Sequence, residues 1–115
     1  METPQQEELT EPRGVWQHLT HTQIVDVRES WEFLAGHIEG AVNITLGELM
    51  GGGTSQLNPE IPVVLVCKSG NRSELAALML QTRGYEAYNL EGGMEAWAEQ
   101  GLPFMNEEGQ AGRVA

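Results

Sequence analysis

The sequence predicts an α/β sandwich, a mostly parallel central sheet of about five strands with helices on both faces. Three observations carry this prediction. The chain has 115 residues, the size of one ordinary domain. Short aliphatic runs alternate along it with segments of helical periodicity, the pattern of a parallel sheet wrapped by crossover helices. Apolar residues make up 40%, too many for a disordered chain and enough for a core between two helical layers.

Each element has its own justification. Residues 1–9 are polar and acidic and read as a flexible lead-in. Pro12 suits the first turn of a helix, and Val15, Trp16 and Leu19 follow at helical spacing. Residues 23–27, QIVDV, form a β-branched run that reads as a buried strand. Ser30 can cap a short helix carrying Trp31, Phe33 and Leu34, which Gly36 ends. Residues 41–44 read as a short strand and 46–50 as a helical turn. Gly51, Gly52 and Gly53 then break regular structure; no Lys-Ser/Thr follows, so they make a surface loop and not a phosphate loop.

Residues 61–66 are the strongest strand, apolar throughout apart from Pro62. The polar stretch after Cys67 leads into a helix over 72–83, whose apolar groups on much of the circumference predict burial. Gly84 stops it. Residues 85–90 are a further strand, Gly92 and Gly93 a turn, and 94–100 a last helix with Trp97 facing inward. Residues 105–115 are small and polar and read as a flexible tail.

Charge narrows the function classes. Six Lys and Arg against 17 Asp and Glu give a net charge of −11. Such a surface repels phosphate backbones and anionic headgroups, which argues against nucleic acid and membranes as partners. A small anionic substrate stays compatible if cationic groups are concentrated at one place. No apolar segment approaches the roughly 18 residues of a membrane span, and the amino terminus lacks the basic and apolar regions of a secretory signal. The single cysteine, Cys67, cannot form an internal disulfide and is too few for a cysteine metal site. A reducing, cytoplasmic setting is expected.

That cysteine stands where a strand hands over to a helix, at the carboxyl edge of the sheet where α/β proteins carry their active loops. Free N–H groups and the positive end of the helix dipole would face the loop Cys67-Lys68-Ser69-Gly70-Asn71-Arg72-Ser73, favouring a thiolate and cradling anions. Lys68 and Arg72 bring two of the six cationic side chains into this one loop. Ser69 and Ser73 can donate to sulfur or oxygen, and Gly70 permits the backbone angle that wraps the loop around one atom. A free cysteine is more often a small core hydrophobe; its position beside Lys68 and Arg72 favours a reactive thiol.

Four blocks resemble rhodanese-type sulfurtransferases over about residues 10–104. These are Asp26-Val27-Arg28-Glu29, then Gly36-His37-Ile38-Glu39-Gly40-Ala41-Val42-Asn43-Ile44, the Cys67–Ser73 loop, and Gly92-Gly93-Met94-Glu95-Ala96-Trp97 followed by Gly101-Leu102-Pro103. Each block alone is weak; all four in order are specific. The resemblance implies a rhodanese-like domain over 10–104. It implies that Cys67 takes a sulfane sulfur from thiosulfate or a related donor as a persulfide. A thiol, cyanide or protein acceptor would then receive it, by two-step covalent catalysis without cofactor or metal. Lys68, Ser69, Gly70, Asn71, Arg72 and Ser73 would bind the donor, with Asp26 and Arg28 as supports of the loop. Phosphatases on this fold resemble Cys-x5-Arg; here only four residues separate Cys67 from Arg72, a ring better suited to one sulfur atom than to a tetrahedral oxyanion.

His37 reads as a hydrogen-bonded or surface residue, because a low-pKa thiolate needs no base. His18 and His21 read as no metal pair, and Trp16, Trp31 and Trp97 as core and rim packing. Thr45 stands where the family often has Pro, which alters a turn more than the chemistry. A sulfur-relay module loaded by protein partners and an inactive regulatory domain compete with the enzyme; retention of Cys67 argues against the last. A monomer or weak dimer is expected.

Overall fold

The computed structural model describes residues 6–115. Residues 1–5 of the expected lead-in lie outside the described residues. In the remainder of that segment Gln6–Leu9 is a 3-10 turn that buries Leu9 completely. The elements that follow are α1 (Pro12–Gln17), β1 (Gln23–Asp26), α2 (Ser30–Ala35), β2 (Val42–Asn43), α3 (Leu46–Met50), β3 (Val63–Val66), α4 (Asn71–Thr82), β4 (Ala87–Asn89) and α5 (Gly93–Glu99).

Among the described residues the sheet has four strands, in the order β2-β1-β3-β4, all parallel. The expected parallel sheet of about five strands is present with four. The sequence contains four aliphatic runs, one for each strand, and the carboxyl-terminal segment makes only isolated antiparallel bridges, His37 to Met105 and Met105 to Ala111. Strand β3 starts after Pro62, which has no N–H to give the ladder; the Pro62 carbonyl still accepts from Gln23 at 2.8 Å.

Side chains alternate across the sheet with the period of two that a pleated strand imposes. Val25, Val27, Val63 and Leu65 join one apolar cluster with Leu49, Ala76, Ala77 and Leu80, from α3 and α4. Ile24, Val64 and Val66 join the opposite cluster with Leu9, Val15, Met94 and Trp97, from the amino-terminal turn, α1 and α5. Helices therefore cover both faces.

Residues 105–113 lie back against α2: Glu107 N–H donates to the Leu34 carbonyl at 3.2 Å, and Arg113 N–H to the Ala35 carbonyl at 3.0 Å. Their polar composition hid this, because the attachment is through backbone groups. Of the three tryptophans only Trp97 is buried; Trp16 and Trp31 are 41% and 65% exposed. Helix α2 turns Glu32 inward instead and leaves Trp31 and Leu34 outside. Helix α4 likewise buries Ser73, Ala76, Ala77 and Leu80 while Leu75 and Leu78 face solvent, so its burial is less complete than its composition predicts. Thr45 caps α3, its Oγ1 accepting from Glu48 N–H at 3.2 Å while Glu48 reaches back to Thr45 N–H. No helix among the described residues is long and apolar enough to cross a membrane.

Candidate active site

Strand β3 delivers Cys67 to the carboxyl edge of the sheet, and α4 begins four residues later at Asn71. The link turns inward because Gly70 adopts φ +101°, a left-handed angle that disfavours side chains. That angle aims the Gly70 N–H at Cys67 Sγ, at 3.0 Å. Ser73, one turn into α4 and buried, brings its hydroxyl to 3.2 Å from the same sulfur.

These contacts decide the thiol's acidity. Burial alone pushes the Cys67 thiol up, since the interior disfavours charge. Donation from the Ser73 hydroxyl and from the backbone N–H groups of Ser73, Gly70 and Ser69 outweighs burial and brings it below the ordinary cysteine value. Sγ sits at the positive end of the 12-residue α4. The result is a buried sulfur, Cys67 being 1% exposed, in a site that favours the thiolate.

A second helix terminus clamps the loop from outside. Met94 N–H and Glu95 N–H, in the first turn of α5, donate to the carbonyls of Cys67 and Lys68 at 2.8 and 3.0 Å. With the loop carbonyls held outward, its N–H groups are free to face the sulfur. The contact requires glycine at position 93: φ is +58°, and a Cβ there would lie 2.4 Å from the Cys67 carbonyl oxygen.

The remaining expected site residues fall into different positions. Ser69 and Asn71 are exposed and Lys68 is half-buried. Among the described residues Lys68 makes no ion pair. Arg72, expected as an anion anchor, is instead already engaged. Its Nη1 and Nη2 donate to Glu32 Oε1 and Oε2 at 2.9 and 3.1 Å, a bidentate pair. The Arg72 donation holds the Glu32 carboxyl below its ordinary value, against the opposing effect of burial. Asp26 and Arg28 form a buried pair at the end of β1. Asp26 Oδ1 accepts from Arg28 Nε at 2.9 Å, and Oδ2 from Nη2 at 2.7 Å. Arg28 Nη2 also reaches the Gly36 carbonyl at 2.7 Å, tying β1 to the end of α2.

His37 lies apart from the sulfur's contacts. Its ring stacks on Phe33 with centroids 3.9 Å apart, and its Nδ1 is 2.8 Å from the Phe33 carbonyl. A groove of about 410 Å³ lies between α2 and the carboxyl-terminal segment, lined by Trp31, Leu34, Glu107 and Arg113 among others; Cys67 does not line it.

Two residues of the site escape a reading of the sequence. Glu32 sits in a short helix whose aromatic neighbours draw attention first, and its partner is 40 positions away. Asn89 ends β4 and takes the Ser73 hydroxyl as a donor, while its own Nδ2 donates to the Gly70 carbonyl at 3.1 Å. The available signal for Asn89 was its place: a polar residue at the carboxyl end of a strand beside β3.

Comparison with known proteins agrees with this architecture. A thiosulfate sulfurtransferase, GlpE, of Shewanella oneidensis is 37% identical over 93 residues, covering 80% of this chain and 84% of that one. The Bacillus subtilis protein YqhL is 43% identical over 76 residues, 65% of this chain and 60% of its own length. The putative sulfur carrier protein YrkF of the same organism is 39% identical over 75 residues, 64% of this chain and 40% of its own length. This chain therefore spans less than two thirds of both Bacillus proteins. Among solved structures, a rhodanese-related protein of Thermoplasma volcanium superposes with a TM-score of 0.80 at 29% identity, covering 84% of this chain and 96% of the other. The model of the rhodanese-like domain matches residues 10–100, and with four parallel strands presenting Cys67 at the head of α4, the chain belongs to the rhodanese-like family.

Proposed function

We propose that this protein is a sulfurtransferase that moves a sulfane sulfur from thiosulfate or a related donor to a thiophilic acceptor through a Cys67 persulfide. The supporting observation is the cradle at Sγ: donors from Gly70 and Ser73, with Ser69 N–H beside them, at the head of α4. In the first step the Cys67 thiolate attacks the outer sulfur of thiosulfate. A Cys67–sulfur bond forms, the sulfur–sulfur bond of the donor breaks, and sulfite leaves with that electron pair. In the second step a thiolate or cyanide attacks the terminal sulfur, and the Cys67 thiolate departs unchanged. The loop's N–H groups stabilise anionic sulfur at both stages. Among the described residues Lys68 is the loop's cation without an ion pair, and it attracts the anionic donor.

Intact mass tests this reading. Reduced protein incubated with thiosulfate gains one sulfur, about 32 Da, that cyanide removes, as a covalent intermediate requires; Cys67→Ser gains nothing. A Cys67→Ser variant with full transfer activity would remove Cys67 as the nucleophile.

A second reading, a sulfur-relay module loaded by a protein partner, is favoured by two observations. Arg72 is neutralised by Glu32, and the net charge of −11 opposes a small dianion at long range. On this reading thiosulfate leaves no adduct while a persulfide donor does. The relatives named as a sulfurtransferase and as a putative sulfur carrier are compatible with either. The single thiol fits a reducing, cytoplasmic setting.

A further inference from the structure

The Ser73 hydroxyl has one proton and two acceptors. Its oxygen lies 3.2 Å from Cys67 Sγ and within hydrogen-bond distance of Asn89 Oδ1. Asn89 cannot turn its amide to relieve this competition, because Nδ2 is committed to the Gly70 carbonyl at 3.1 Å, and a flip would set two oxygens against each other. Oδ1 therefore always faces Ser73 as an acceptor.

We propose that Asn89 is a positioning residue for Cys67, acting through Ser73 by holding the hydroxyl proton that the thiolate needs. With Cys67 as a thiol, the chain of donors runs from the S–H to Ser73 Oγ and from the Ser73 O–H to Asn89 Oδ1; every group is satisfied. When the thiol proton leaves to water, the sulfur has only lone pairs to offer. The Ser73 O–H then turns to Sγ and abandons Oδ1. No covalent bond changes except S–H, and the displaced hydrogen bond is the cost of making the thiolate. Asn89 thus restrains the nucleophile through its oxygen while its nitrogen fixes the loop carbonyl whose residue donates to the sulfur.

The charged groups around Cys67 are Lys68 beside it, Arg72 with its partner Glu32, the buried Asp26–Arg28 pair on the neighbouring strand, and Glu95 at the head of α5. None belongs to the Ser73–Asn89 pair, so all remain when that pair is altered. The inference deepens the sulfur-transfer reading but its test needs no sulfur donor.

The experiment is a cycle of four full-length proteins: wild type, Ser73→Ala, Asn89→Ala and the double variant. Thiolate formation is followed by ultraviolet absorbance and by the pH dependence of iodoacetamide alkylation, with circular dichroism to confirm the fold. Ser73→Ala raises the titration midpoint. Asn89→Ala shifts the midpoint about half to one pH unit further toward acid when Ser73 is present than when it is replaced, the worth of one neutral hydrogen bond. Loss of the Gly70 anchor acts alike in both backgrounds and cancels. Equal Asn89 shifts with and without Ser73, or a more alkaline shift with it, would overturn the proposal. Loss of persulfide formation alongside the expected midpoints would count against sulfur transfer and leave Asn89's role standing.

Discussion

Replacing Gly93 by alanine tests how the loop is held. Two costs follow from the structure. The φ of +58° lies in the left-handed region, which costs an L-residue about 1–2 kcal/mol. The new Cβ would stand 2.4 Å from the Cys67 carbonyl oxygen and 2.7 Å from that of Lys68. Ordinary contact needs about 1 Å more, and forcing such an insertion into packed structure costs about 1–3 kcal/mol. The sum is about 2–5 kcal/mol, or a Tm lower by about 8–20 °C for a domain of this size. Gly101→Ala is the control, because φ is +72° but nothing lies within 4 Å. It carries the backbone cost alone, about 4–8 °C. Thermal melts of the two variants isolate the contact between α5 and the loop. The contact also holds the loop around the sulfur, so on the sulfur-transfer reading a displacement of about 1 Å lowers the rate of sulfur loading by about 100-fold in Gly93→Ala. A Gly93→Ala protein as stable and as reactive as Gly101→Ala would refute the reasoning.

Asp26→Asn leaves the Arg28 guanidinium buried without its counter-charge and destabilises by about 3–5 kcal/mol, read as a lower urea midpoint at unchanged slope; a loss under about 1 kcal/mol would show that the pair is not needed as ions. Glu32 contributes stability above its unfolded carboxylate value, because its folded value is depressed, chiefly by Arg72. That contribution disappears as pH falls through the folded value, so the stability difference between wild type and Glu32→Gln narrows below about pH 4.5; a difference constant from neutral to acid would contradict this. The same variant releases Arg72, and on the sulfur-transfer reading it lowers the thiosulfate concentration for half-maximal loading. An unchanged or raised concentration would show that pairing with Glu32 does not limit donor capture.

Much of this molecule is written locally. The β-branched run before Cys67, the polar loop after it and the helical stretch from Arg72 each declare themselves within a few residues, because backbone propensity and side-chain periodicity act over that range. They place a thiol between a strand end and a helix start, and that placement is what favours the thiolate. Cys67, Ser69, Gly70 and Ser73 were legible in this way, and so was the alternation that gives a parallel sheet covered on both faces.

Tertiary structure decided what happens between elements. Arg72 is cationic in any sequence reading, yet whether it meets a donor or a carboxylate depends on Glu32, brought to it by α2 from 40 positions away. That pairing also inverts α2, burying a glutamate and leaving Trp31 outside. Asn89 reaches Ser73, 16 positions away, because β4 lies beside β3 in register, a pairing that no local period encodes. The carboxyl-terminal segment is hydrogen-bonded to α2 through backbone groups that are the same in every residue, so its composition is silent about those bonds, and only Phe104 and Val114 pack apolar side chains on the core. Gly93 reads as half of a turn; only the approach of α5 to the Cys67 carbonyl shows why no side chain fits there. Local sequence thus placed the thiol and its helix, while close packing of distant segments set the charge, the hydrogen bonds and the restraint around it.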